Sequence, residues 1–214
     1  MRLTILPMFL SLLTGALLGI GSWLLVSGGV HRTDHSAANP VDRGFAQSMS
    51  LHHQQAIGMA QLMLDGRPTV LAPLAKSIAY SQLLELGEMR GWLRLWDAPW
   101  QVHKVDMTWM LAGSEPPDAE LRQYLLDCER SPTGMPGLAT MEQMQALRKA
   151  EGRTRDEQFL RMMLVHHEGG LPMARFAARQ AESKVVRDLA ELIVLEQSRE
   201  LARIRQTLAA LGQT

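Results

Sequence analysis

Apolar residues recur at helical spacing through most of this chain, and one such stretch occurs twice. Phe45 to Met63 reads FAQSMSLHHQQAIGMAQLM, and 114 positions later Phe159 to Ala177 reads FLRMMLVHHEGGLPMARFA. Phe45/Phe159, Met49/Met163, His52/His166, His53/His167, Met59/Met173 and Ala60/Ala174 are identical, where unrelated sequence of this length gives about one match. Residues three, four and seven apart share a helical face, so Met49, His52 or His53, Ala56, Met59 and Met63 form one stripe. Met163, His166 or His167, Gly170 and Met173 form its twin.

A second amphipathic pattern follows each copy. Leu71, Ala75, Ile78, Gln82, Glu85, Met89, Trp92 and Trp96 make the first, and Leu189, Ile193, Gln197, Glu200, Ile204 and Leu211 the second. Both apolar lines are interrupted at the same place by Gln-x2-Glu. A buried polar group without a partner costs about 1–3 kcal/mol, so these four side chains predict a polar layer inside the core, with the histidines as nearest partners.

The predicted fold is all-α: an antiparallel four-helix bundle over residues 42–211, built from helix-pair repeats at about 42–96 and 154–211. Asp42 is the expected N-cap of the first helix, which Asp65-Gly66-Arg67-Pro68 stops near Leu64. The second helix is expected over about 70–96. Residues 97–153 form a long connection broken by Pro99, Pro116, Pro117, Pro132 and Pro136, with room for short helices at about 118–129 and 141–150. Thr140-x2-Gln143 and Thr154-x2-Glu157 read as capping boxes, the second opening the helix that carries His166 and His167. Pro172 inside that helix predicts a kink after Gly169-Gly170.

Ahead of the repeats, Leu3 to Val30 contains no charged residue. That is longer than the roughly 20 residues a bilayer crossing needs, and signal-peptide cores are shorter, about 7–15 residues. An uncleaved N-terminal membrane helix over 1–30 is expected, with cleavage near Ser27-Gly28-Gly29 and secretion as the alternative. Either way the remaining chain faces outward from the cytoplasm. Arg2 and Arg32 flank the span and leave its orientation undecided by charge. Gly15-x3-Gly19 would let two such spans pack, allowing a homo-oligomer. Residues 31–41 read as a linker, in which His31 and His35 are expected in solvent.

Composition narrows the chemistry. Lys plus Arg and Asp plus Glu balance at 22 each, so no global field favours nucleic acid. Cys128 is the single cysteine and has no thiol partner, which makes it structural rather than catalytic. Methionine is frequent, with 14 residues. Thioether sulfur and imidazole nitrogen on one helical face are donors suited to soft or borderline metals, copper above all. Met49, His52, His53, Met59, Met163, His166, His167 and Met173 are the candidate ligands, with Gln82, Glu85, Gln197 and Glu200 behind them to orient imidazoles.

Two other readings stand beside that one. The histidines, glutamines and glutamates would form a metal-free buried network that fixes helix register, with the methionines filling core. A carboxylate di-metal enzyme is the third, although that chemistry wants Glu-x2-His on two helices and the chain contains none.

The HHQQAIGMA and HHEGGLPMA segments, the two Gln-x2-Glu helices and Met135-Pro136-Gly137-Leu138-Ala139-Thr140 resemble the domain of unknown function 305 family across about residues 42–211. The resemblance implies a ferritin-like four-helix bundle and export in bacteria. It further implies an association with copper in some members, with Met49, His52, His53, Met59, His166, His167 and Met173 matching the motif. Pro172 departs from a regular helix interior, and the chain has no Met-rich or His-rich tail.

Overall fold

Six α-helices and one short 3-10 turn are built from the described residues, 38–100 and 106–212, of a computed structural model. The helices are α1 (Pro40–Met63), α2 (Ala72–Leu95), α3 (Ala119–Arg130), α4 (Met141–Lys149), α5 (Gly152–Gln180) and α6 (Lys184–Leu211). No strand occurs among the described residues. The predicted membrane span, together with His31 and His35, lies outside them. No helix among the described residues is long and apolar enough to cross a membrane.

The four long helices pack as the repeats predict. α1 pairs with α2, α5 with α6, and the two histidine helices α1 and α5 lie against each other. Their antiparallel sense follows from the contacts at each end. Asp42 near the start of α1 accepts the backbone N–H of Ser183, just past the end of α5, at 3.1 Å. At the far end Arg155 reaches the Leu62 carbonyl and pairs with Asp65 at 3.0 Å. The core falls into two apolar clusters: one around Phe45, Met89, Met135 and Phe176, the other around Ile78, Leu147, Phe159 and Ile204.

Two local expectations need correction. Asn39, not Asp42, caps α1, its side chain accepting the Val41 N–H at 2.7 Å. Asp42 is buried in the first turn and spends its carboxylate on the opening of α6 instead. α5 begins at Gly152, two residues before the expected Thr154 box, because the positive φ of Gly152 lets the chain turn straight out of α4. The Thr140–Gln143 box is present as predicted. α5 carries Pro172 in its interior and is helical from Gly152 to Gln180.

The long connection is tied to equivalent points of the two histidine helices. Gln55 of α1 holds the Ala139 backbone through both its N–H (2.6 Å) and its carbonyl (2.8 Å). At the matching position of α5 stands Gly169, whose missing side chain lets the Pro136–Gly137 backbone lie against the helix. Tyr124 of α3 donates its hydroxyl to the Gly169 carbonyl at 3.1 Å. The 3-10 turn Thr108–Ala112, which the sequence pattern does not reveal, seats Trp109 directly on Gly44 of α1 and bonds Ser48 at 3.0 Å.

Gly44 and Gly87 should therefore respond oppositely to alanine. An added methyl at Gly44 collides with Trp109, and overpacking costs about 1–3 kcal/mol, whereas Gly87 faces open space and helix propensity favours Ala by about 1 kcal/mol. Urea unfolding is expected to show Gly44→Ala destabilised and Gly87→Ala stabilised. Equal effects of one sign would mean that Trp109 does not dock on α1.

Candidate metal centre

Between the two apolar clusters lies a layer made of the four repeated histidines and the residues that interrupt the α2 and α6 stripes. His52, His53, His166 and His167 are all fully buried, as are Gln82, Glu85, Gln197 and Glu200 to within a few per cent. The doubled His-His places one ring of each pair toward the other histidine helix and the next toward the repeat's own second helix. His52 and His166 stack across the α1–α5 contact with ring centroids 3.7 Å apart. His53 Nε2 bonds Glu85 Oε2 at 2.5 Å, and His167 Nε2 bonds Glu200 Oε2 at 2.6 Å. The two His–Glu pairs are the same contact made once in each repeat.

These bonds determine which nitrogens remain available. A carbonyl only accepts, so His166 Nε2, 3.1 Å from the His52 carbonyl, carries the proton. A carboxylate likewise accepts, which places the proton of His53 and His167 on Nε2. In a neutral imidazole the other nitrogen is then a bare lone pair. Nδ1 of His53, His166 and His167 is buried without a hydrogen-bond partner, as are both nitrogens of His52 and both amide atoms of Gln82 and Gln197. Nine of the twelve such side-chain atoms found among the described residues thus belong to this one layer, which makes it the place where the fold leaves polar groups unsatisfied.

Electrostatics keep the stacked pair neutral. Burial holds His52 and His166 well below the ordinary histidine value of 6.5. One carboxyl that the repeat does not predict joins the layer. Glu196 of α6 is half-buried beside Glu85, and burial followed by the charges of Glu85 and Glu200 raises its pKa. Its position one turn before Glu200 was the available signal. Ser81 stands at the corresponding place in the first copy, so matching the two halves passes over it.

The candidate methionines are all buried, but in the flanking clusters. Met49 and Met173 belong to the cluster containing Phe45, and Met59 and Met163 to the one containing Phe159. Antiparallel packing explains the exchange, since the methionine before the histidines in one copy lies level with the one after them in the other. Cys128 is buried and bonded to Tyr124, its thiol pushed up to about 11 by burial. That makes it a packed neutral thiol. Among the described residues no three His, Cys, Asp or Glu side chains are drawn together as a ready ligand set. The donor chemistry nevertheless fits a soft ion of low coordination number: imidazoles whose Nε2–H is held by a carboxylate or carbonyl, each with Nδ1 free, are the arrangement usual for metal-binding histidines.

A family model described as "Domain of unknown function (DUF305)" matches residues 42–208. Among solved structures the chain is similar to a DUF305 protein from Streptomyces coelicolor whose description proposes secretion. The two are 31% identical with a TM-score of 0.67, over 84% of this chain and 96% of that one. A DUF305 fragment from Deinococcus radiodurans is 25% identical with a TM-score of 0.60, over 83% of this chain and 99% of that one. CopM in its Cu(I)-bound form is 25% identical with a TM-score of 0.55, over 79% of this chain and 96% of that one. No curated protein matches the chain.

The neutral pair makes stability depend on pH. Folded His52 and His166 bind protons less readily than they do in the unfolded chain, whose histidines titrate near 6.5. Below that pH the unfolded state holds more protons, so the stability tied to the neutral rings is complete above about pH 6.5 and lost as the pH falls beneath it. Thermal unfolding of the metal-free protein from about pH 8 to 5 is expected to show the midpoint dropping in the lower half of the range. Replacing both residues by Gln should flatten that slope, and an equal slope in wild type and variant would contradict burial of the neutral pair.

Proposed function

The chain belongs to the family described as domain of unknown function DUF305, and on that footing we propose that its bundle handles a soft metal, copper first, outside the cytoplasm. The observation that carries this reading is the set of buried imidazoles whose Nε2–H is tethered and whose Nδ1 is bare. Such a layer leaves about 1–3 kcal/mol of unmet hydrogen bonding at each orphaned atom, and a metal ion relieves it. The similarity to CopM in its Cu(I)-bound form supports copper as the ion. His53, His166 and His167 would hold it through Nδ1, with His52 completing the set. Glu85 and Glu200 would fix the rings and raise their basicity as ligands. The ion itself would supply only its own exchange between partners, so the role is buffering or transfer rather than turnover of a substrate.

The proposed location is extracytoplasmic. The description of the Streptomyces coelicolor relative supports it, and Leu3 to Val30 would tether the bundle to the membrane, or direct its secretion if cleaved. A second reading, a metal-free register lock, is favoured by the His53–Glu85 and His167–Glu200 bonds, each of which ties a histidine helix to the second helix of its own repeat. Metal content of the chain purified from cells without a histidine tag separates the readings. Copper at about one ion per chain is expected. No metal at all would leave the register lock, and iron or manganese would point to the carboxylates Glu85, Glu196 and Glu200.

Ligand substitutions sharpen the test. Changing His52, His53, His166 and His167 to Ala should abolish Cu(I) binding measured against competing chelators. Changing Met49, Met59, Met163 and Met173 to Leu, close in volume, should weaken Cu(I) more than Zn(II) if the sulfurs move in to complete the shell. Unchanged Cu(I) affinity in that variant would reduce the methionines to core packing. Glu85→Leu and Glu200→Leu should each shift histidine resonances and lower thermal stability, while the exposed Glu88→Leu should do neither. Equal, negligible effects of all three would contradict the His–Glu pairs.

A further inference from the structure

Three of the four imidazoles are held by a bond from Nε2, and His52 is not. It stacks on His166, leans toward the His166 carbonyl, and closes no hydrogen bond at either nitrogen. The correspondence of the two repeats would have His52 reach that carbonyl just as His166 reaches that of His52. Two glycines, Gly137 in the long connection and Gly170 in the second copy, lie beside the groups that differ. Gly137, at φ +88°, lies over the His166 carbonyl, where a Cβ would stand 2.9 Å from the oxygen. Gly170 stands where the first copy has Ala56, and a Cβ there would lie 2.6 Å from His52 Cε1 and 3.2 Å from each ring nitrogen. The imidazole of His52 therefore occupies the volume that any side chain at position 170 would fill.

We propose that Gly170 is a positioning residue that keeps His52 as the adjustable ligand of the layer. His53, His166 and His167 can present only Nδ1 without giving up a buried hydrogen bond, whereas His52 can present Nδ1 or Nε2 at no such cost. An ion held by rigid imidazoles on α1 and α5 needs one donor that adapts to its preferred angle, and His52 is the group free to do so. The proposal takes its ligand class, a soft cation such as Cu(I), from the metal-handling reading. The freedom of His52 and its dependence on Gly170 rest on the contacts just described.

Long-range 15N–1H correlation spectra of histidine-labelled, metal-free protein read the tautomers directly. His53, His166 and His167 are expected as fixed Nε2–H forms, with His52 exchanging between its two forms. A single fixed tautomer at His52 would overturn the proposal. In Gly170→Ala the methyl should displace the ring, shifting the His52 resonances and lowering Cu(I) affinity about 10- to 100-fold, the range seen when groups supporting a metal ligand are altered. Gly58→Ala, whose Cβ meets only the end of Met144 at 3.9 Å, should leave both unchanged. Unaltered His52 resonances and Cu(I) affinity in Gly170→Ala would also overturn the proposal. If Gly170→Ala does not fold, the wild-type tautomers decide. If wild type binds no Cu(I), the metal-handling reading fails and takes the ligand with it, while the spectra still report whether Gly170 frees His52.

Discussion

The rest of this structure is arranged around keeping four imidazoles and two carboxamides at the centre of a helical bundle, away from water. Burial makes the stacked His52–His166 pair neutral, and the other ring bonds run to Glu85, Glu200 and the His52 carbonyl. Each takes one Nε2–H, which fixes the tautomer and leaves the opposite nitrogen without a partner. Replacing buried polar pairs by an apolar layer of the same shape is often neutral or stabilising, so the pairs are weak evidence of a purely stabilising role. That the interruption occurs twice, at matched positions on four helices, supports the proposed ligand role over a packing one.

The scaffold serves that layer through small residues and backbone contacts. Gly170 gives His52 its space, and Gly169 lets the Pro136–Gly137 backbone close over the histidine helix. Gln55 holds the same connection from the other helix, so a loop that would otherwise be a long excursion becomes a strap across the level of the site. Tyr124 adds a bond to the Gly169 carbonyl beside Pro172. Asp42 and Arg155 fasten the two ends of the α1–α5 pair, setting the register in which one histidine pair meets the other.

Much of this was legible because the chain repeats. The doubled His-His and Gln-x2-Glu patterns located both helix pairs, and the interrupted stripes correctly placed Gln82, Glu85, Gln197 and Glu200 inside. Features present in one copy only were invisible to the same reasoning. Glu196 stands where the first copy has Ser81, Gly170 where it has Ala56, and neither shows its neighbours until the helices are packed. Asp42 illustrates a different limit: it has the side chain of a good N-cap and lies near a helix start, yet its partner is Ser183, a contact across the bundle that local spacing does not encode. Helical spacing put methionine and histidine on one face, but a face spans several turns, and the apolar ends of that stripe belong to two different core clusters.

The account turns on which nitrogen of each tethered histidine is open to a metal. Titrating Cu(I) into the histidine-labelled protein while following both ring nitrogens tests this most directly. The expected result is a shift of the Nδ1 resonances of His53, His166 and His167 with their Nε2–H signals retained, because the bonds to Glu85, Glu200 and the His52 carbonyl persist. Loss of those Nε2–H signals, or Cu(I) uptake that leaves all four imidazoles unchanged, would contradict it.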